Sequence, residues 1–131
     1  MTDIFTTAFA DNVRLAKSKT IITPSAATYN LIRLPKFAFV KRVWLEVSTV
    51  GSSNTISIGW TGNGETAQAA GFLSTDIAQA TVLGIKESIN DTLTTSKAKY
   101  FDSASGAITM TVGTTQSAGL FHVFCEYTVI H

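Results

Sequence analysis

The closing stretch SGAITMTVGTTQSAGLFHVFCEYTVIH, Ser105 to His131, brings three chemically capable side chains close together: His122, Cys125 and Glu126. An imidazole, a thiol and a carboxylate at short spacing are the ingredients of nucleophilic or acid–base catalysis. The residues around them alternate, however. Phe121, Val123, Cys125, Tyr127 and Val129 take one side, and His122, Phe124, Glu126, Thr128 and Ile130 the other. A strand sends successive side chains to opposite faces, so His122 and Cys125 point apart and form no Cys–His pair. Cys125, on the apolar side, is expected as a small buried hydrophobe. His122 and Glu126 share the other side at a diagonal spacing, as a polar pair on an exposed face. The strand reads as a sheet edge or an interface, and no catalytic residue is assigned.

Other chemistries find little more. With two histidines, one cysteine and no CxxC, HxxxH or EF-hand spacing, no metal and no cofactor is expected. The acidic residues are scattered singly, with no carboxylate pair for acid–base work. GWTGNG (59–64) lacks the lysine and following Ser/Thr of a phosphate-binding loop and reads as a hairpin turn. Trp60 beside Gly62 and Asn63 would suit a sugar-stacking platform, but it is in phase with Ile56 and Ile58 and is expected in the core. Trp44 is out of phase with Val43, Leu45 and Val47, so it shares the other face with Arg42 and Glu46. Arg42, Trp44 and Glu46 are the candidate interface residues on this strand. The alternative is a strand buried on both faces. Arg33, Lys36, Lys41 and Arg42 make a local basic cluster, but the net charge is +1. A solvated or interface-rim face is the expectation there, with no nucleic-acid partner. No run approaches the ~20 apolar residues of a membrane span, so no membrane partner is expected.

The elements that position these residues are strands. The chain has 131 residues, the length of one domain, and its charged content is 15%, against roughly 25% in ordinary soluble domains. Thr, Ser, Asn and Gln carry the polar load instead. That composition suits strands, and a chain that buries outer surface against partners. One cysteine excludes an intrachain disulfide and fits synthesis in a reducing cytoplasm. The start, MTDIFTTAFADNVRLAKSK, has no charged region followed by an apolar core, so no signal peptide is expected. From residue 38 onward period-two alternation dominates, in KRVWLEVST (41–49), NTISIGWTG (54–62), GAITMTVGT (106–114) and LFHVFCEYTVI (120–130). TYNLIRL (28–34), QATVLGI (79–85) and SKAKYF (96–101) add further strands, and Pro35 marks a strand edge or bend. Seven to nine short strands with one face inward give an all-β antiparallel sandwich or barrel. The N-terminus differs. Phe5, Phe9, Val13 and Ala16 would lie on one helical face, capped by Thr2 or Asp3. Equally, the segment could be an extended arm with Phe5 and Phe9 anchored in a neighbouring subunit's groove. The expected organisation is an arm or short helix over 1–22 and one β-domain over 23–131.

Taken as a set, ITPSAATYNLIRLPKFAFVKRVWLEVST, ISIGWTGNGETAQAAGFLS and AKYFDSASGAITMTVGTTQSAGLFHVFCEYTV resemble the small β-sandwich virion proteins of tailed bacteriophages. The shared pattern is a strand near an "LP" corner, a "V-x-V/L-x-V" strand, a "sIGw-G" strand, a "yf…a…itmtV" strand and a final "G-x-x-x-V-x-x-x-Y" strand. It covers roughly residues 22–130 and contains no catalytic signature. The resemblance implies a single jelly-roll-like antiparallel β-sandwich and a non-enzymatic structural role. The members the chain resembles are capsid decoration (cement) subunits, head-fibre pieces and similar structural subunits. It further implies a homotrimer, partnered by itself and by the major capsid protein or neighbouring virion proteins. The location it implies is the capsid surface, after assembly in the host cytoplasm. The alternative is a receptor- or glycan-binding module of a head fibre or tail. Phe5, Phe9, Arg42, Trp44 and Glu46 are the interface candidates carried forward.

Overall fold

Alternation in the four long segments becomes four strands that each turn an apolar row into the core. The structure, a computed structural model, describes residues 13–88 and 98–130. Among these the order is β1 (Arg14–Lys17), β2 (Ile21–Ile22), β3 (Ala27–Leu34), β4 (Ala38–Thr49), β5 (Ile56–Gly62), β6 (Glu65–Leu73), α1 (Thr75–Ala78), β7 (Gly84–Glu87), β8 (Lys99–Tyr100), β9 (Gly106–Val112) and β10 (Leu120–Val129). One sheet runs β1-β10-β4-β7, with β2 also on β10 and β8 on β4. The other runs β3-β9-β5-β6. All pairings are antiparallel. The protein is therefore an all-β sandwich of two sheets.

The core lies between them. Val43, Leu45 and Val47 of β4 and Phe121, Val123 and Cys125 of β10 meet Ile56, Ile58 and Trp60 of β5 and Ile108, Met110 and Val112 of β9. Each large aliphatic side chain so buried contributes about 1.5–3 kcal/mol. Two buried amides tie the loops. Asn63 holds a left-handed turn between Gly62 and Gly64, at φ 60°. Its Oδ1 accepts the Ser103 and Ala104 N–H groups at 2.7 and 3.2 Å, and its Nδ2 donates to Glu65 at 2.6 Å. Gln116 Oε1 accepts the Ser52 and Ser53 N–H groups at 2.9 and 3.1 Å, while its Nε2 donates to the Ser53 and Thr114 carbonyls, each at 3.1 Å. Burial makes each of these bonds costly to lose.

Three sequence expectations are corrected, and one strand is added. β6 was not foreseen: ETAQAAGFL has no alternation, because Glu65 to Ala70 are exposed on an edge strand. QATVLGI is not one strand. Gln79 turns left-handed (φ 42°) to end α1, and the strand begins only at Gly84. Lys86 Nζ donates to the Gln79 and Val82 carbonyls and holds that turn against β7. Arg14–Lys17 is a strand on β10, so a helical face does not run through Ala16. Phe5 and Phe9 lie outside the described residues. Finally, a register shift between Glu126 and Tyr127 changes the phase of β10, so Thr128 is buried while Tyr127 and Val129 are half-buried.

Candidate functional site

The outward rows of β4 and β10 meet in register. His122 stands opposite Glu46, Phe124 opposite Trp44, and Glu126 opposite Arg42. Directly opposed residues on one sheet face are within contact range, so this register decides which side chains interact. The Trp44 and Phe124 rings stack, with centroids 6.0 Å apart and planes within 12°. The Arg42 guanidinium lies 5.0 Å from the Trp44 centroid, and Lys17 of β1 reaches within 5.6 Å of the Phe124 centroid. Arg42 also donates to Glu87 of β7 at 2.6 Å and approaches Glu126 at 3.9 Å. Leu15 and Ile85 flank this patch on the two edge strands and are 67% and 60% exposed.

His122 is held at one ring nitrogen and faces a carboxylate with the other. Its Nε2 lies 2.9 Å from the Thr20 hydroxyl, and its Nδ1 is 3.5 Å from Glu46 Oε1, an ion-pair distance without an aligned hydrogen bond. Glu46 in turn accepts the Ser48 hydroxyl at 2.6 Å. That bond, aided by the nearby His122 and Lys17, holds the Glu46 carboxyl below its ordinary pKa. The sequence pairing of His122 with Glu126 is thereby replaced. Each has its nearest charged partner across the strand boundary on β4, because cross-strand neighbours are closer than residues four apart along one strand.

Arg42, Trp44 and Glu46 do share the outward face, and all three are half-buried. Trp44 is thus a half-buried ring, stacked on Phe124 with the Arg42 guanidinium over it. The basic cluster does not form: Arg33 sits on the other sheet, Lys36 lies over the Phe37 ring at 4.9 Å, and Arg42 is ion-paired. Cys125 is fully buried, and burial pushes its thiol pKa up to about 12. A thiol so protonated is no nucleophile near neutral pH. Trp60 is 4% exposed, edge-on to Phe101 at 6.1 Å, with the Lys99 ammonium 4.0 Å from its ring centroid. It offers no sugar platform.

The outward face of the four-stranded sheet has other materials. Thr28, Asn30, Ser57, Gly59, Thr61, Thr109 and Thr111 line its strands. β6 arches over this face. Ile58 pairs with Leu73 but Trp60 already with Gln68, so the intervening residues bulge out. The Ala69 carbonyl accepts the Ser57 hydroxyl at 3.0 Å. Sequence reasoning missed this face, since small polar residues give no strong signal beyond alternation.

No family model matches the chain, and no curated protein matches it in sequence. Solved structures do match. The chain shares its fold with chains of two phage capsid structures. One is the acid-stable capsid of Helicobacter pylori bacteriophage KHP30, with a TM-score of 0.61 and 20% identity over 88% of this chain and 86% of that one. The other is the capsid asymmetric unit of cyanophage Pam1, with a TM-score of 0.61 and 18% identity over 99% of this chain and 94% of that one. At such identities the likeness is one of fold.

Proposed function

We propose that this chain is a non-enzymatic structural protein of a phage virion. In this reading it is a decoration subunit that binds the outer face of the head as a homotrimer and stabilises the shell. The observation that carries the reading is the end-to-end fold match with a chain of the Pam1 capsid, 99% of one chain on 94% of the other. The outward face of β4 and β10 supplies the docking surface, toward the major capsid protein or a neighbouring virion protein. Arg42, Glu46, Glu87 and Glu126 have charged neighbours within the chain, so a partner meets a stacked tryptophan flanked by Leu15 and Ile85. Buried tryptophan and arginine anchors dominate interface energies. Contacts that are weak singly become strong when symmetry repeats them over a shell. The glycan-binding alternative has no specific support, because Trp60 is buried beside its turn.

Light scattering on the full chain, followed by co-sedimentation with heads of the phage that encodes it, tests the proposal. A trimer that binds heads, and loses binding with Trp44→Ala, supports it. A chain that stays monomeric and leaves heads unbound overturns it.

A further inference from the structure

Two cavities adjoin on the outward face of the four-stranded sheet, away from the surface assigned to docking. The larger, about 540 Å³, lies over Leu31, Arg33 and Ala107. The smaller, about 250 Å³, lies over Thr28, Thr111, Ala67 and Ala69. Asn30 and Thr61 line both, so the two form one groove. Its lining is hydroxyls, an amide, alanine and glycine, with a single aliphatic side chain, Leu31. Arg33 is the one charged residue in it, and no carboxylate pairs with Arg33 among the described residues. Arg42 and Lys99, by contrast, each have an acidic partner.

A groove of this kind accepts an extended chain that brings bulk and a negative charge. Among the described residues no aromatic ring lines it to give the stacking surface a saccharide uses. Residues 1–12, MTDIFTTAFADN, have the complementary chemistry. They contain Asp3 and Asp11, no lysine or arginine, and two phenylalanines. Laid out as an extended strand, Asp3, Phe5, Thr7, Phe9 and Asp11 would fall on one side. Twelve residues reach about 40 Å. The segment leads into β1, an edge strand of the opposite sheet, so its own groove lies on the far layer of the sandwich.

We infer that this groove seats residues 1–12 of a second copy of the chain, with Arg33 paired to Asp3 or Asp11 and Phe5 and Phe9 filling space left by the small lining residues. The inference rests on the self-association in the reading above and names its contact. Each copy gives an arm and receives one, a head-to-tail contact that closes into a ring when the rotation allows.

The test is a charge exchange in the full chain, read as molar mass against concentration by light scattering, with circular dichroism to confirm folding. Arg33→Glu alone, and Asp3→Arg with Asp11→Arg alone, are each expected to weaken association about tenfold or more, as like charges at an interface do. The chain carrying all three substitutions is expected to regain the wild-type mass. Wild-type association unchanged by Arg33→Glu overturns this inference and leaves the trimer reading standing. Loss in both variants without recovery in the combined chain also overturns it. A wild-type chain that is monomeric at every concentration removes the trimer reading itself.

Discussion

The sandwich has two outward faces, and they solve the problem of exposure differently. Over residues 42–46 of β4 and 122–126 of β10, every second residue is charged or aromatic, and each stands opposite another across the strand boundary. Glu46 meets His122, Trp44 meets Phe124, and Arg42 meets Glu87 and Glu126. On β3, β9 and β5 the corresponding positions are mostly threonine, serine, asparagine and glycine, with Leu31 and Ala107, and the charge at the end of the row, Arg33, has no carboxylate partner among the described residues. The inward faces are by contrast alike, both rows of valine, isoleucine, leucine and aromatic residues. The fold is therefore set by what the two sheets share, and what each can bind is set by what they do not. One face offers rings and aliphatic rim. The other offers space and an arginine with no carboxylate partner among the described residues.

The largest expected effect tests whether that space is bounded by β6. A Cβ on Gly59 would come within 1.7 Å of the Gln68 carbonyl oxygen, so Gly59→Ala must displace the arch. Overpacking against backbone should cost at least ~3 kcal/mol, at or beyond the upper end of such substitutions. Urea denaturation measures it. Gly64→Ala serves as the control: its surroundings are open and only its φ of +67° opposes a side chain, so a cost of about 1 kcal/mol is expected. Equal losses at the two glycines would mean that β6 does not close over the sheet.

Next comes the contrast between the faces themselves. Trp44→Ala should lower stability by about 1–2 kcal/mol, through the lost stack on Phe124 and its half-buried area. Its effect on partner binding should be larger, about thirtyfold, the size of an interface anchor. Thr111→Ala on the other face should stay within ~0.5 kcal/mol of wild type in stability and leave head binding alone. Isothermal titration or co-sedimentation separates the two. Equal binding losses would assign docking to both faces and dissolve the distinction.

The inward rows were legible in the sequence because burial enforces period two: Val43, Leu45 and Val47, Ile56 and Ile58, and Ile108, Met110 and Val112 are all buried as the alternation requires. β6 was not legible because an edge strand wet along most of its length carries no such constraint. Nor was the region 79–85, where Val82, Leu83 and Ile85 are apolar yet exposed, and a left-handed Gln79 interrupts the chain. The interface strand was partly legible. Alternation placed Arg42, Trp44 and Glu46 on one side, but not their partners. Those depend on which residues of β10 fall opposite, a register fixed by distant turns and by shifts at Leu120/Phe121 and Glu126/Tyr127. A reading along one strand finds His122 and Glu126. Only the pairing of two strands finds His122 and Glu46.

A smaller effect is expected from the ion pair that borders the stacked rings. Arg42 and Glu87 are both partly solvated, with side chains 42% and 30% exposed. A double-mutant cycle on Arg42→Met and Glu87→Gln should therefore give a coupling of only about 0.5 kcal/mol, falling as salt is added. A coupling well above 1 kcal/mol would show that Arg42 acts as part of a network with Trp44 and Glu126. In that case the face is rigid by electrostatics rather than by stacking.

The smallest expected effect, and the most local, lies in the titration of Glu46. Its carboxyl is held below its ordinary pKa chiefly by the Ser48 hydroxyl, with His122 and Lys17 adding to the effect. A lowered folded-state pKa means that the associated stabilisation is complete above the unfolded carboxylate value of about 4.3 and is lost as pH falls through the folded value. Ser48→Ala should move the Glu46 titration upward, toward the ordinary value, and His122→Gln should move it upward by less. Carbon-13 chemical shifts of the Glu46 carboxyl followed against pH report this directly. The ordering matters more than the size. If His122→Gln moves the titration further than Ser48→Ala, the cross-strand pair governs this end of the face. With Ser48 the stronger, protonation of Glu46 first releases a local hydroxyl on β4 and leaves the stacked rings in place. Among the described residues no carboxylate lines the groove of the threonine face, so titration there over the same acid range would come from Asp3 or Asp11 of the seated arm.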